Sequence, residues 1–143
     1  MFVPFLIVDP NAEIPVVMLS LRRDLDPAFH IAVGRALQPL RDEGVAIVGS
    51  GMSYHDLRHF RDGEGAASRA FDDWLDETAR ERPAERDARL ANWEKAPFAR
   101  ACHPREEHLM PLMVVAGAAG EDRGEHSFRD VIGGKTISAF RFG

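Results

Sequence analysis

Ile14-Pro15-Val16-Val17-Met18-Leu19-Ser20 and Val45-Ala46-Ile47-Val48-Gly49-Ser50-Gly51 bracket the stretch whose reading decides the fold. Each opens as a short, β-rich apolar run, the pattern of a strand buried on both faces. Pro15 is tolerable at a strand entry. Between the runs, Asp26-Pro27 offers an N-cap with proline at the first helical position. Phe29, Val33, Ala36, Leu37 and Leu40 then recur at helical spacing, and Gly44 supplies a C-terminal stop. Strand, helix and strand with short connections predict a βαβ unit, whose strands are parallel. The predicted class is therefore α/β, a mixed or mainly parallel sheet flanked by helices. Topology alone then sets the Gly49-Ser50-Gly51 loop at the carboxyl end of a strand, where open α/β folds bind ligands.

Downstream, Glu64 to Glu81 is amphipathic, with Ala67, Ala70, Phe71, Trp74, Leu75 and Thr78 on one face, and Pro83 ends it. Ala84 to Lys95 predicts another helix with Leu90 and Trp93 inward. Pro104 suits a further first helical turn, with Glu106 and Glu107 complementing the helix dipole. That helix is expected to reach about Ala119 and to be distorted by Pro111. A polar loop over Gly120 to Ser127, a Gly133-Gly134 turn and a last strand over Thr136 to Phe142 complete the chain. Its 143 residues suit one domain, 1–143, with one core.

The formal net charge of -5 argues against a general nucleic-acid or anionic-membrane surface, either of which needs excess Lys and Arg. The single cysteine, Cys102, excludes an internal disulfide and fits a reducing, cytoplasmic setting. It reads as a small buried residue rather than a nucleophile. The longest apolar run, Leu109 to Ala119, contains Pro111 and Gly117 and falls short of the ~20 residues of a spanning helix. Met1 to Val8 is apolar without a basic n-region or cleavage site, so it is not a signal peptide. It reads as a cut through a larger fold.

Six histidines, His30, His55, His59, His103, His108 and His126, are candidates for chemistry. His55 closely follows the Gly49-Ser50-Gly51 loop, where glycines allow a sharp turn and close approach to a ligand, and an imidazole there can act as general acid or base. A phosphate loop is the rival reading, but no Gly-Lys-Ser/Thr follows. His103 and His108 stand five apart, unlike the spacing of four in a two-histidine zinc helix. The structural alternative is a helix-capping His103 and a packed His108. His30, His59 and His126 read as structural or solvated, and Asp72, Asp73, Glu106 and Glu107 as helix-surface charges.

Four segments resemble the class III extradiol ring-cleavage dioxygenases, in particular the DOPA 4,5-dioxygenase-like branch. They are Ile14 to Leu21, Gly44 to Gly51 continuing through His55-Asp56-Leu57-Arg58, Ala70-Phe71-Asp72-Asp73-Trp74-Leu75, and Ala96-Pro97 with His103-Pro104-Arg105-Glu106-Glu107-His108-Leu109-Met110-Pro111-Leu112. Their order and spacing match over nearly the whole chain. The resemblance implies cleavage of a catechol ring by O₂ at a non-haem metal, with Fe(II) the expected cofactor and Zn(II) the alternative. It implies that His108 is a metal ligand and that His55 takes a proton from the catechol and later returns one. It further implies that His103, Ser50 and Gly51 line the site.

In that family two further histidine ligands lie upstream of the first matching segment, whereas the first histidine here is His30. The expectation is that this chain is the C-terminal part of the catalytic domain. Alone it would not be a competent dioxygenase, because one protein ligand holds iron poorly. It would be a fragment of a longer protein, pair with a second chain, or be a degenerate remnant, and would expose an apolar edge near Met1 to Val8 and Ile14 to Leu19. Two other readings stand beside this one: a non-catalytic α/β dimerisation module, and a small zinc enzyme whose ligands are His55, His103 and His108.

Overall fold

A computed structural model of the chain describes residues 7–62 and 65–143. Helix α1 spans Pro27–Leu37, and its start is as predicted: the Asp26 carboxylate accepts from the Ala28 amide, with Pro27 in the first turn. A 3₁₀ segment, Gln38–Glu43, extends it to Gly44, which closes the helix at φ 80°. Helices α2 (Ala66–Ala79), α3 (Pro83–Ala91), α4 (Ala99–Cys102) and α5 (Met110–Ala118) follow. The expected helix over Ala84 to Lys95 is split by Asn92, whose φ of -110° breaks the spiral before a 3₁₀ turn at Trp93–Lys95.

The expected parallel βαβ pair does not form. Among the described residues the sheet has two strands, β1 (Gly124–Ile132) and β2 (Lys135–Phe142), paired antiparallel. Neither Ile14 to Ser20 nor Val45 to Val48 is a strand. Their side chains explain the failure: Val17 is 94% exposed and Val48 63% exposed, so the apolar runs find no surface to pack on. Strand pairing needs such a face as well as a backbone partner. The exposed apolar edge expected over Ile14 to Leu19 is present, and Ile7 and Val8 are exposed too. The earlier part of the Met1 to Val8 run lies outside the described residues, as does Glu64 at the start of the second predicted helix.

The last strand is where it was expected, and Gly133 and Gly134 at φ 59° and 81° make the tight turn into it. The predicted polar loop from Gly120 is shorter than expected, because β1 already begins at Gly124. Phe71, Leu75, Leu90, Trp93, Leu109, Met110 and Met113 form the centre of the core, each at most 2% exposed. Burial of each such side chain is worth ~1.5–3 kcal/mol. Cys102 belongs to the same core, and burial pushes its thiol up to about 12, so it is inert as a nucleophile.

Helix α1 crosses α5 at backbone contact. A Cβ on Gly34 would strike the Val114 carbonyl oxygen, and one on Gly117 the Ile31 carbonyl oxygen. At the far end of α5, Arg41 donates to the carbonyls of Ala118 and Ala119 at 3.1 and 3.0 Å. Buried Arg86 donates to Asp122 and Gly120 carbonyls at 2.8 and 3.3 Å. Arg41 thus satisfies acceptors that the helix end leaves open, and Arg86 those of the turn that follows. The predicted helix from Pro104 begins later, at Met110, with Pro111 in its first turn, where a proline is accommodated without distortion. The freed stretch, His103 to Leu109, becomes the loop that carries the candidate site.

Candidate functional site

Two backbone hydrogen bonds lace the segment after the glycine loop to the segment before α5. The Met52 amide donates to the His108 carbonyl at 2.9 Å, and the His55 amide to the Cys102 carbonyl at 2.9 Å. Such contact requires bare backbone. A Cβ on Gly51 would collide with the His108 carbonyl oxygen, and one on Gly49 would lie 2.7 Å from that of Pro111. The glycines serve close approach of two chain segments, and His55 and His108 meet as a result. Their rings stack with centroids 3.6 Å apart and planes 23° apart.

Glu107 joins them. One ligand atom from each of His55, Glu107 and His108 lies within 4.8 Å of the others. His55 Nδ1 is 3.9 Å from Glu107 Oε1. Glu107 Oε2 is buried and accepts no hydrogen bond. Burial, and secondarily the neighbouring His55, lowers the pKa of His108, while Glu107 opposes both. A low pKa keeps the imidazole neutral, the form that ligates metal. Two imidazoles and a carboxylate are donors suited to Fe(II) or Zn(II), and no hydrogen bond competes for Glu107 Oε2, whose ion pair with Arg105 is a long one at 3.6 Å. The residues present therefore fit a divalent metal.

A cleft of about 400 Å³ reaches this trio at His108. Its walls include Met52, Leu112, Val115, Phe140 and Phe142, with Ser53, Ser138 and Arg141 adding polar groups. Gly51 lines the cleft, whereas Ser50 does not and is exposed.

His103 is placed differently from expectation. It is fully buried, between Phe71 and Trp93 at ring distances of 5.4 and 6.0 Å, and lies behind the cleft rather than on it. Its Nε2 donates to the Ser53 carbonyl at 3.0 Å, so it clamps the loop that leads to His55. Burial pushes its pKa down to about 4. Nor does it cap a helix start, since it closes the C-terminal end of α4. With His103 turned inward, the zinc triad of His55, His103 and His108 is not assembled.

The other histidines are engaged elsewhere. His30 is buried at the start of α1, with Nδ1 2.6 Å from the Asp26 carbonyl oxygen. His59 bonds Asp56 at 2.7 Å. His126 lies in β1 rather than a loop, 3.7 Å from Asp72 and 3.3 Å from Asp76. Asp72 is not the surface charge it was expected to be: it is 1% exposed, beside Arg129 Nε at 3.0 Å. Glu107 is the functional candidate that sequence reasoning missed. A second acid directly before a ligand-like histidine was the available signal.

Residues 1–140 match the family described as the catalytic LigB subunit of aromatic ring-opening dioxygenase. A Beta vulgaris protein named 4,5-DOPA dioxygenase extradiol is 41% identical over 124 residues, which is 85% of this chain and 46% of that protein. A Hapsidospora irregularis protein named dioxygenase tasH is 37% identical over 158 residues, covering 99% and 48% respectively. The crystal structure of an uncharacterized protein from Escherichia coli K12 superposes with a TM-score of 0.86 at 26% identity, over 97% of this chain and 59% of that one. The chain spans about half the length of the curated relatives it matches.

Proposed function

Because the chain belongs to the family of the catalytic LigB subunit of aromatic ring-opening dioxygenase, we propose that it serves extradiol cleavage of a catecholic aromatic by O₂. The observation that carries this reading is the meeting of His55, Glu107 and His108 beside a cleft of about 400 Å³. The relatives named for DOPA support a catechol as the substrate class, and the choice among catechols lies with the cleft walls. In this reading His108 is the metal ligand. The metal, Fe(II) for turnover or Zn(II) as a stand-in, supplies Lewis acidity toward the two ring oxygens and a template for O₂.

His55 does the proton work. With Nδ1 toward Glu107, its Nε2 is the atom left to take the catechol proton and later to return it. Met52, Leu112, Val115 and Phe140 hold the ring and exclude water. His103 and Ser53 keep the His55 loop in register from behind. The resemblance assigns His108 alone from this chain to the metal, so completing the coordination calls on a further polypeptide segment or a second copy. The exposed run Ile14 to Leu19 supports such an association.

The test is an anaerobic titration of the Fe(II)-loaded chain with 4-nitrocatechol, followed by oxygen. A visible red shift on binding and a yellow ring-opened product after O₂ are expected of the completed site. A metal-loaded chain whose nitrocatechol spectrum stays that of the free ligand would sink the reading.

A further inference from the structure

The cleft beside His108 is larger than one aromatic ring needs. Its volume is about 400 Å³, inside the ~300–1,000 Å³ range of sites that hold drug-sized ligands. A bare catechol at His108 would leave much of it to water. The remainder runs along α5: Leu109, Leu112 and Val115 all line it, and a helix rises ~9 Å from the first to the last. Leu112 and Val115 are one turn apart, so they present one apolar wall leading away from His108. Gly49 abuts Val115, which sets Ile47 and Val48 at the same end of the cleft.

The polar lining offers little to a charged ligand group. Ser53 Oγ already accepts from the Ser138 amide at 2.9 Å, and Ser138 Oγ is withdrawn from solvent. Arg141, the cation of the lining, is paired across the strands with Glu125. That ion pair is exposed on both sides and neutralises itself, so it adds little to the binding of a further charge.

We propose that the cleft selects catechols whose ring carries an uncharged, apolar substituent, and disfavours the zwitterionic side chain of DOPA, the compound for which the relatives are named. The proposal rests on the catechol reading above and adds the substituent. With the hydroxyls at His108, an alkyl or aryl group on the ring lies against Leu112 and Val115 and leaves water. Each buried methylene strengthens binding by roughly fourfold. An ammonium and a carboxylate in the same place lose their hydration and meet no unengaged opposite charge among the described lining residues. The His108 end fixes the ring, and the Val115 end chooses what the ring carries.

The experiment is an anaerobic calorimetric titration of the full chain, with Zn(II) present, against 4-methyl-, 4-ethyl-, 4-propyl- and 4-butylcatechol and against DOPA. Affinity is expected to rise by roughly fourfold per methylene, and DOPA to bind at least about tenfold more weakly than 4-propylcatechol. Val115→Asn should flatten the series, and the nearly isosteric Val115→Thr should lower its slope, with circular dichroism reporting the fold of each. Val17→Asp, on the exposed early run, should keep the wild-type slope. A flat series in wild type, or DOPA bound as tightly as 4-propylcatechol, overturns the proposal, while the nitrocatechol spectrum decides the catechol reading separately. A wild-type slope in both Val115 variants overturns it as well, and its loss in Val17→Asp then places the gain on the exposed run. The 1,2-dimethoxy counterparts, with their oxygens blocked, should bind more weakly throughout. Equal affinity with the same slope keeps the apolar subsite and overturns the catechol reading beneath it.

Discussion

His103 donates from Nε2 to the carbonyl oxygen of Ser53, at 3.0 Å and wholly out of water. The same imidazole leaves Nδ1 buried without a partner. It is thus a neutral group whose protonation the fold resists, and its pKa falls to about 4 against 6.5 outside the fold.

Acid should therefore weaken the fold before the carboxylates titrate. Between pH 6.5 and about 4 the unfolded chain binds the His103 proton and the folded chain does not. Stability is full above pH 6.5 and is lost as pH falls through that window, by an amount on the order of a few kcal/mol. The lowered pKa of His108 acts with the same sign. Asp72 acts oppositely, since burial raises its pKa and its stabilisation is lost as pH rises. Urea melts from pH 7.5 to 4.5 should show the decline, and His103→Gln should flatten it. An undiminished slope in that variant would assign the decline elsewhere.

Gly51 and Gly44 should respond differently to alanine. At Gly51 the new methyl must push the loop off the His108 carbonyl, breaking the Met52 bond, at ~1–3 kcal/mol. Metal affinity should fall with it. At Gly44 space is open and the cost is the φ of 80° alone, ~1 kcal/mol, with the site intact. Denaturant melts paired with Co(II) titration separate the two. Equal metal affinity in both variants would mean that the loop contact does not position His108.

His55→Ala and His108→Ala should divide turnover from metal. The first is expected to lower the ring-cleavage rate of the completed enzyme by ~10²–10⁴ with metal retained. The second should lose the metal itself. Metal analysis beside product formation reads both, and the reverse pattern would exchange their roles.

Val17 offers a handle on the exposed edge. Val17→Asp should reduce self-association in light scattering, because it breaks an apolar patch, and should leave the melting temperature unchanged because the side chain is already 94% exposed. A drop in melting temperature would place Val17 inside a packed interface.

Local punctuation made much of the chain legible. Asp26-Pro27, Gly44 and Gly133-Gly134 each act on backbone within a few residues of themselves, so they read correctly without tertiary information. The two early strands did not, because a strand exists only with a neighbour and these runs have none among the described residues. The segment ahead of α5 misled for a related reason: Pro104 and Pro111 are both acceptable first-turn residues, and packing chose the second. At the site, motif resemblance singled out His55 and His108, but burial decided the fate of His103, Asp72 and Glu107, and burial has no local code.

The lacing of Met52 and His55 to His108 and Cys102 makes the two histidine segments one inseparable cassette. A single-residue insertion between Gly51 and His55 turns His55 away from its partner, and one between Cys102 and His108 does the same from the other side. A longer insert at the Gly120 to Arg123 turn touches neither, and disturbs instead the carbonyls that Arg86 holds. Anyone grafting this chemistry into another scaffold must therefore carry both segments at their present lengths, with the glycines between which they touch.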